Sequence, residues 1–158
     1  MLFSVAIDNR HARIASGGGG GDRNIVLQTF PALTKPNKLR GVHLGPIGAL
    51  AFDGAGTMLA SAANDGTVVL WDLRTLLPIG PPLAAHESIP HDIRFAPGDT
   101  LLASSDDENV LFWDVRLSSW KRIACEQANR QLSRDEWTEG VPDEKYRQVC
   151  SEKLMKRP

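Results

Sequence analysis

One pattern limits what this chain can fold into more than any other: parts of it occur twice at a near-constant spacing. Ala49-Leu50-Ala51-Phe52-Asp53 returns in weaker form as Asp92-Ile93-Arg94-Phe95-Ala96, with Phe52 and Phe95 43 positions apart. Leu70-Trp71-Asp72 returns as Phe112-Trp113-Asp114, 42 positions on, and His43 returns as His86, 43 positions on. A more eroded copy lies upstream in Val5-Ala6-Ile7-Asp8, Arg13-Ile14-Ala15-Ser16 and Asp22-Arg23-Asn24-Ile25-Val26-Leu27. There Asp22 stands opposite Asp65, and Gln28 takes the place of Trp. A fixed period of this length means one small unit stacked on its neighbours, because a single unit cannot bury its apolar face alone.

Inside each unit the apolar residues come in short runs, at 47–52, 57–63 and 67–73, rich in β-branched or aromatic positions. Asp53-Gly54-Ala55-Gly56 and Asn64-Asp65-Gly66 separate them, which is the signature of strands joined by tight turns. Asp65-Gly66 predicts a primed two-residue turn, since Asp-Gly supplies the positive φ values such turns require. A fourth strand over residues 77–83 is confined to an edge by Gly80-Pro81-Pro82, because proline cannot donate to a ladder. Each unit reads as a small antiparallel meander.

With a period of about 43 residues, four strands per unit, a His near the start and Trp-Asp near the end, the chain resembles the WD-repeat β-propeller. The resemblance covers residues 1–115 and is strongest over 42–114. It implies an all-β fold, a partial WD-repeat β-propeller of two to three four-stranded antiparallel blades with a short helical C-terminal tail. The WD-repeat blades would occupy residues 1–117, as a degenerate blade at about 1–41 and blades at about 42–84 and 85–117. The tail would occupy 118–158. In that family a His, a strand Ser or Thr, the turn Asp and the Trp form a hydrogen-bonded network inside one blade. Carried onto this chain, the resemblance places one network on His43, Ser61, Asp65 and Trp71, and a second on His86, Ser104, Asp107 and Trp113. The second copy departs from the pattern where Glu108 replaces the turn Gly and the segment is one residue shorter.

After Val115 the strand-like runs stop. Trp120, Ile123, Ala124, Gln127 and Ala128 fall at helical spacing, with Ser118 or Ser119 as N-cap, and Ser133-Arg134-Asp135-Glu136 reads as a capping box that Gly140 ends within two turns. Ala124-Cys125, Ala128-Asn129-Arg130, Leu132-Ser133, Glu136-Trp137, Tyr146-Arg147 and Cys150 resemble the segment that ends the propellers of bacterial multidomain NTPase/WD-repeat signalling proteins. That likeness implies an upstream effector domain that partner binding would shift between states.

Composition excludes several classes. A net charge of -1, with Lys and Arg interleaved with Asp and Glu, gives no electrostatic footprint for nucleic acid. No apolar run approaches the roughly 18 residues of a membrane span. Residues 1–8 lack the basic flank and apolar core of a signal peptide, so the chain is expected in the cytoplasm with Cys125 and Cys150 reduced. Arg10, Arg13, Arg23, Lys35, Lys38 and Arg40 make the first third basic and are read as solvated loop residues.

The remaining candidates read as structure. His43, Ser61 and Asp65 are the residue types of a hydrolase triad, but no Gly-x-Ser-x-Gly elbow is present, and the set recurs at the repeat period, as internal hydrogen bonding requires. Gly17 to Gly21 lies between strands, where a phosphate loop would open a helix. His86 and His91 with Glu87 and Asp92 lack the spacing of a metal site. Trp137 and Tyr146 are read as packing residues of the tail. No cofactor and no enzymatic activity are expected. The reading is a non-enzymatic protein–protein interaction scaffold, with loops 44–46 and 85–89 as first contacts, binding other proteins or upstream domains of a longer propeller protein. About 115 residues make fewer than three blades, against about 4–8 in a closed ring. A truncated C-terminal segment is therefore expected, and the alternative is a propeller completed by other chains as a homo-oligomer.

Overall fold

The computed structural model describes residues 2–18, 23–31, 35–84, 86–128, 133–135, 148 and 150. Contacts divide the chain into two units, Met1–Asp114 and Val115–Pro158.

In the first unit the short apolar runs become strands of three antiparallel sheets. β1 (Leu2–Asp8), β2 (Arg13–Gly18), β3 (Ile25–Thr29) and β4 (Asn37–Leu39) pair in chain order. β5 (Ile47–Phe52), β6 (Met58–Ala63) and β7 (Thr67–Asp72) form the second sheet. Its fourth strand is split by Gly80-Pro81-Pro82 into β8 (Leu77–Pro78) and β9 (Leu83–Ala84), both paired to β7. β10 (Asp92–Phe95), β11 (Leu101–Ser105) and β12 (Val110–Asp114) form the third, which has three strands among the described residues.

The meanders stack face on face. Ala15, Ile25, Leu27 and Leu39 of the first sheet bury a common core with Ile47, Leu50, Leu59, Val69 and Trp71 of the second. Burying each Val or Leu there contributes about 1.5–3 kcal/mol before conformational entropy is charged. On its other face the second sheet presents small residues, with Ala60, Ala62 and Val68 fully buried, and β10 packs against β5 and β6.

The β6–β7 turn departs from the primed geometry expected. Gly66 N–H bonds to Ala63 O at 3.1 Å, and of the turn residues only Gly66, at φ +79°, is left-handed. This is a type I turn closed by a left-handed glycine, a three-residue hairpin loop, and it frees the Asp65 carboxylate to accept from Thr67 N at 3.0 Å.

In the second unit α1 (Leu117–Ala128) starts earlier than Ser118 or Ser119 would allow as caps, since the N–H groups of Ser119 and Trp120 bond to Arg116 O. The expected apolar stripe is only partly enclosed: Ile123 is 42% exposed and Ala124 is exposed. Cys125 and Cys150 form a disulfide across 25 residues, which corrects the expectation of free thiols. The fold brings their Cα atoms to 5.5 Å, a proximity that compartment alone does not determine. Glu136, Trp137, Gly140 and Tyr146 lie outside the described residues.

Candidate functional site

Ser61 lies mid-strand on β6 with no exposed surface, so its hydroxyl must find partners inside the stack. Trp71 on β7 donates its Nε1–H to Ser61 Oγ at 2.8 Å, and Ser61 Oγ stands 2.7 Å from His43 Nε2. Across the ring, His43 Nδ1 is 3.0 Å from Thr67 Oγ1 and 3.6 Å from Asp65 Oδ2. Thr67 Oγ1 donates its single hydrogen to Asp65 Oδ1 at 2.6 Å, so it accepts from His43. That assigns the imidazole proton to Nδ1 and leaves Nε2 to accept from Ser61. The donors then run one way, from Trp71 through Ser61, His43 and Thr67 to Asp65. Asp65 also accepts the N–H of Leu44 at 2.6 Å.

The third sheet repeats the chain, but its histidine meets the acid directly, with no threonine between them. Trp113 Nε1–H bonds to Ser104 Oγ at 2.8 Å, Ser104 Oγ is 2.6 Å from His86 Nε2, and His86 Nδ1 is 2.9 Å from Asp106 Oδ2. The acid here is Asp106, which corrects the expectation of Asp107. Asp107 instead meets His91 at 2.8 Å, both side chains exposed. Nine residues separate Ser104 from Trp113, against ten from Ser61 to Trp71. The tighter turn brings the earlier acid to the ring, where its second oxygen accepts the N–H of Glu108 and Asn109. In the first sheet Ser16 and Gln28 hold the matching strand positions, and Asp22 lies outside the described residues.

Burial holds His43 below its ordinary imidazole value, against the opposing pull of Asp65. Burial alone would raise Asp65, but hydrogen bonds from Thr67 and Leu44 outweigh it and hold the carboxyl below the usual range. Asp106 is lowered to about 2, first by the His86 hydrogen bond and then by the two turn N–H groups. The triad reading of His43, Ser61 and Asp65 meets a steric barrier. Ser61 is fully enclosed and already bound by Trp71, so no carbonyl carbon reaches its Oγ without opening the sheet. Among the described residues no group of three His, Cys, Asp or Glu side chains is placed to hold a metal ion.

At the β5–β6 turn a second set of contacts, absent from the sequence reading, ties the sheets together. Arg13, expected in solvent, bonds to Asp8 Oδ2 through Nε at 3.0 Å and Nη2 at 2.6 Å, and also donates to Gly56 O of the next sheet. From the other side Asp99 accepts Gly54 N–H at 2.8 Å and Ala55 N–H at 3.1 Å. The available signal was Asp8, which precedes Asp53 by 45 positions and ends its strand in the same way.

The family described as WD domain, G-beta repeat, matches residues 35–72 and 80–114. These two stretches are WD40 repeats. The chain is 36% identical over 113 residues to DDB1- and CUL4-associated factor 5 of Homo sapiens, an alignment taking in 68% of this chain and 12% of that protein. It is 30% identical over 99 residues to small ribosomal subunit protein RACK1y of Oryza sativa, 61% of this chain and 28% of the relative. With periodic tryptophan protein 2 homolog of Schizosaccharomyces pombe it shares 36% identity over 78 residues, 47% of this chain and 9% of the relative. The WD40 stretches run from β4 through β7 and from β9 through β12, so the stacked meanders are blades of a partial propeller. No helix among the described residues is long and apolar enough to cross a membrane.

Proposed function

We propose that the chain is a protein-binding scaffold whose contact end is built from the loop before β5 and the loop before β10. The observation that carries this reading is Leu44, 75% exposed on a loop whose backbone is pinned by the Asp65 carboxylate. A Cβ at Gly66 would lie 3.1 Å from His86 O and 4.0 Å from Ser88 O, so the second loop crosses the same turn and presents Ile89, 41% exposed. Glu87, Asp107 and Glu108 line one hollow beside them and are exposed. Apolar side chains on a rigid loop with an acidic surround suit a partner segment carrying Leu or Phe between Lys or Arg.

Peptides of that composition are expected to bind, and the same peptides with Glu for Lys are not. Leu44→Lys with Ile89→Lys should weaken binding by about tenfold or more, since each replaces an apolar contact by a charge that repels the Lys or Arg of the partner, while the thermal midpoint stays put. Equal binding of both peptide sets, or an unaffected variant, overturns the reading. The human relative, DDB1- and CUL4-associated factor 5, makes DDB1 and CUL4 the first whole proteins to try.

A narrower reading, a propeller segment of a bacterial signalling protein, draws its support from the tail residues beginning at Ala124-Cys125, and relatives from human, rice and yeast add nothing to it. The disulfide between Cys125 and Cys150 persists best in an oxidising compartment.

A further inference from the structure

The pairing register repeats from sheet to sheet, so corresponding faces can be matched row by row. In the second sheet, the face turned to the first carries the rows Leu50, Ser61, Val69 and Phe52, Leu59, Trp71. The opposite face carries Ala49, Ala62, Val68 and Ala51, Ala60, Leu70, all buried. In the first sheet the register sets Val5, Ser16, Val26 and Ile7, Ile14, Gln28 where the second has its first pair of rows. Among the described residues of this unit none covers that face, and Val5 and Ile7 are 61% and 54% exposed. In the third sheet Asp92, Ser105, Val110 and Arg94, Ala103, Phe112 stand where the second has its other pair of rows. Val110 and Phe112 there are 57% and 70% exposed, and Asp92 and Arg94 neutralise each other at 2.9 Å.

Among its described residues the first unit therefore has one open face of each kind that its own internal interfaces use. A partner that presents both complementary faces is a second copy of the same chain. We propose that two copies associate head to tail, the third sheet of one against the first sheet of the other. Each junction continues the stacking already formed between the sheets within the chain. Such a contact is heterologous, and it stays finite only if the rotation closes. Two copies bring six sheets, within the 4–8 blades at which propellers close. Both junctions then form at once, and each covers one of these open faces. This inference does not depend on the loop-binding reading, because it uses the flat faces of the sheets and leaves the loops free.

The 158-residue chain should run by light scattering and native mass spectrometry at twice its 17.3 kDa at micromolar concentration. A monomer, or an open-ended series of larger species, overturns the proposal. Ile7→Glu and Phe112→Glu each should weaken the dimer by about tenfold or more, because each buries an unpaired charge at both junctions. Val110→Glu is the second third-sheet variant in case Phe112→Glu does not fold. An equimolar mixture of Ile7→Glu with a folded third-sheet variant should regain dimer, since one junction then joins two unaltered faces. No recovery in the mixture overturns the head-to-tail geometry.

Discussion

Ser61 shows most directly how one atom holds a blade together. Its Oγ takes the Trp71 N–H and meets His43, so Ser61→Ala leaves a buried indole donor and a buried ring nitrogen unsatisfied. A loss of about 1–3 kcal/mol is expected, read as a lower urea midpoint with an unchanged slope; a variant as stable as the parent would show that the network is idle. The same residues set a pH dependence. His43 has its pKa depressed by burial, so below the ordinary histidine value of about 6.5 the unfolded chain takes up a proton that the folded chain refuses. Stability is thus full above that pH and falls below it. Asp65, Asp106 and Asp8 are all lowered, so their contributions are present above about pH 4 and are lost as pH falls further. Two stages of acid destabilisation follow, and His43→Gln should abolish the first and keep the second. A single stage in the parent would contradict the assignment. Asp107 shows where reading residues stops: at Asp106-Asp107 either carboxylate fits the pattern, and a loop shorter by one residue decides between them.

Turns and strands carry the next level of argument. The β5–β6 turn is gripped from both sides, by Arg13 through Gly56 O and by Asp99 through Gly54 and Ala55 N–H. Gly56 sits at φ +67°, and a Cβ there would lie 2.7 Å from Asp8 Oδ2 and closer still to the His11 ring. Gly66, at φ +79°, has its nearest neighbour at 3.1 Å. Both alanine variants pay about 1–2 kcal/mol for the left-handed backbone, but Gly56→Ala must also displace the Asp8 carboxylate from Arg13. It should therefore lower the melting temperature more than Gly66→Ala, and the reverse order would refute the cross-sheet grip. The strands themselves were legible because alternation and turn residues are local, as the runs at 47–52 and 67–73 show. What was not legible is set by distance in the chain. Arg13 and Gly56 are 43 residues apart, Gly54 and Asp99 are 45 apart, and Cys125 and Cys150 are 25 apart. Thr67 escaped notice for another reason, since a strand threonine is ordinary until a histidine proton needs an acceptor.

Across the first unit, protection from solvent is unequal, and that inequality can be measured. The second sheet is covered on both faces, with Leu59, Ala60, Ala62 and Val68 at 0% exposure. The first and third sheets are covered on one face each, and β12 has no further strand beyond it among the described residues. Opening β12 exposes little that is not already wet, whereas opening β6 exposes apolar surface on two sides and breaks two ladders. Amide exchange should follow this order, slowest in β6 and at least about tenfold faster in β12, because local opening is cheapest where the fewest buried contacts are lost. Hydrogen-exchange mass spectrometry at two protein concentrations separates this intrinsic gradient from self-association. Raising the concentration stabilises only what the second copy covers, so peptides from β1–β3 and β10–β12 should slow while β6 changes little. Equal protection in β6 and β12 at high dilution would mean that stability is not graded by the number of covered faces, and the account of these sheets as stacked wedges would fail with it.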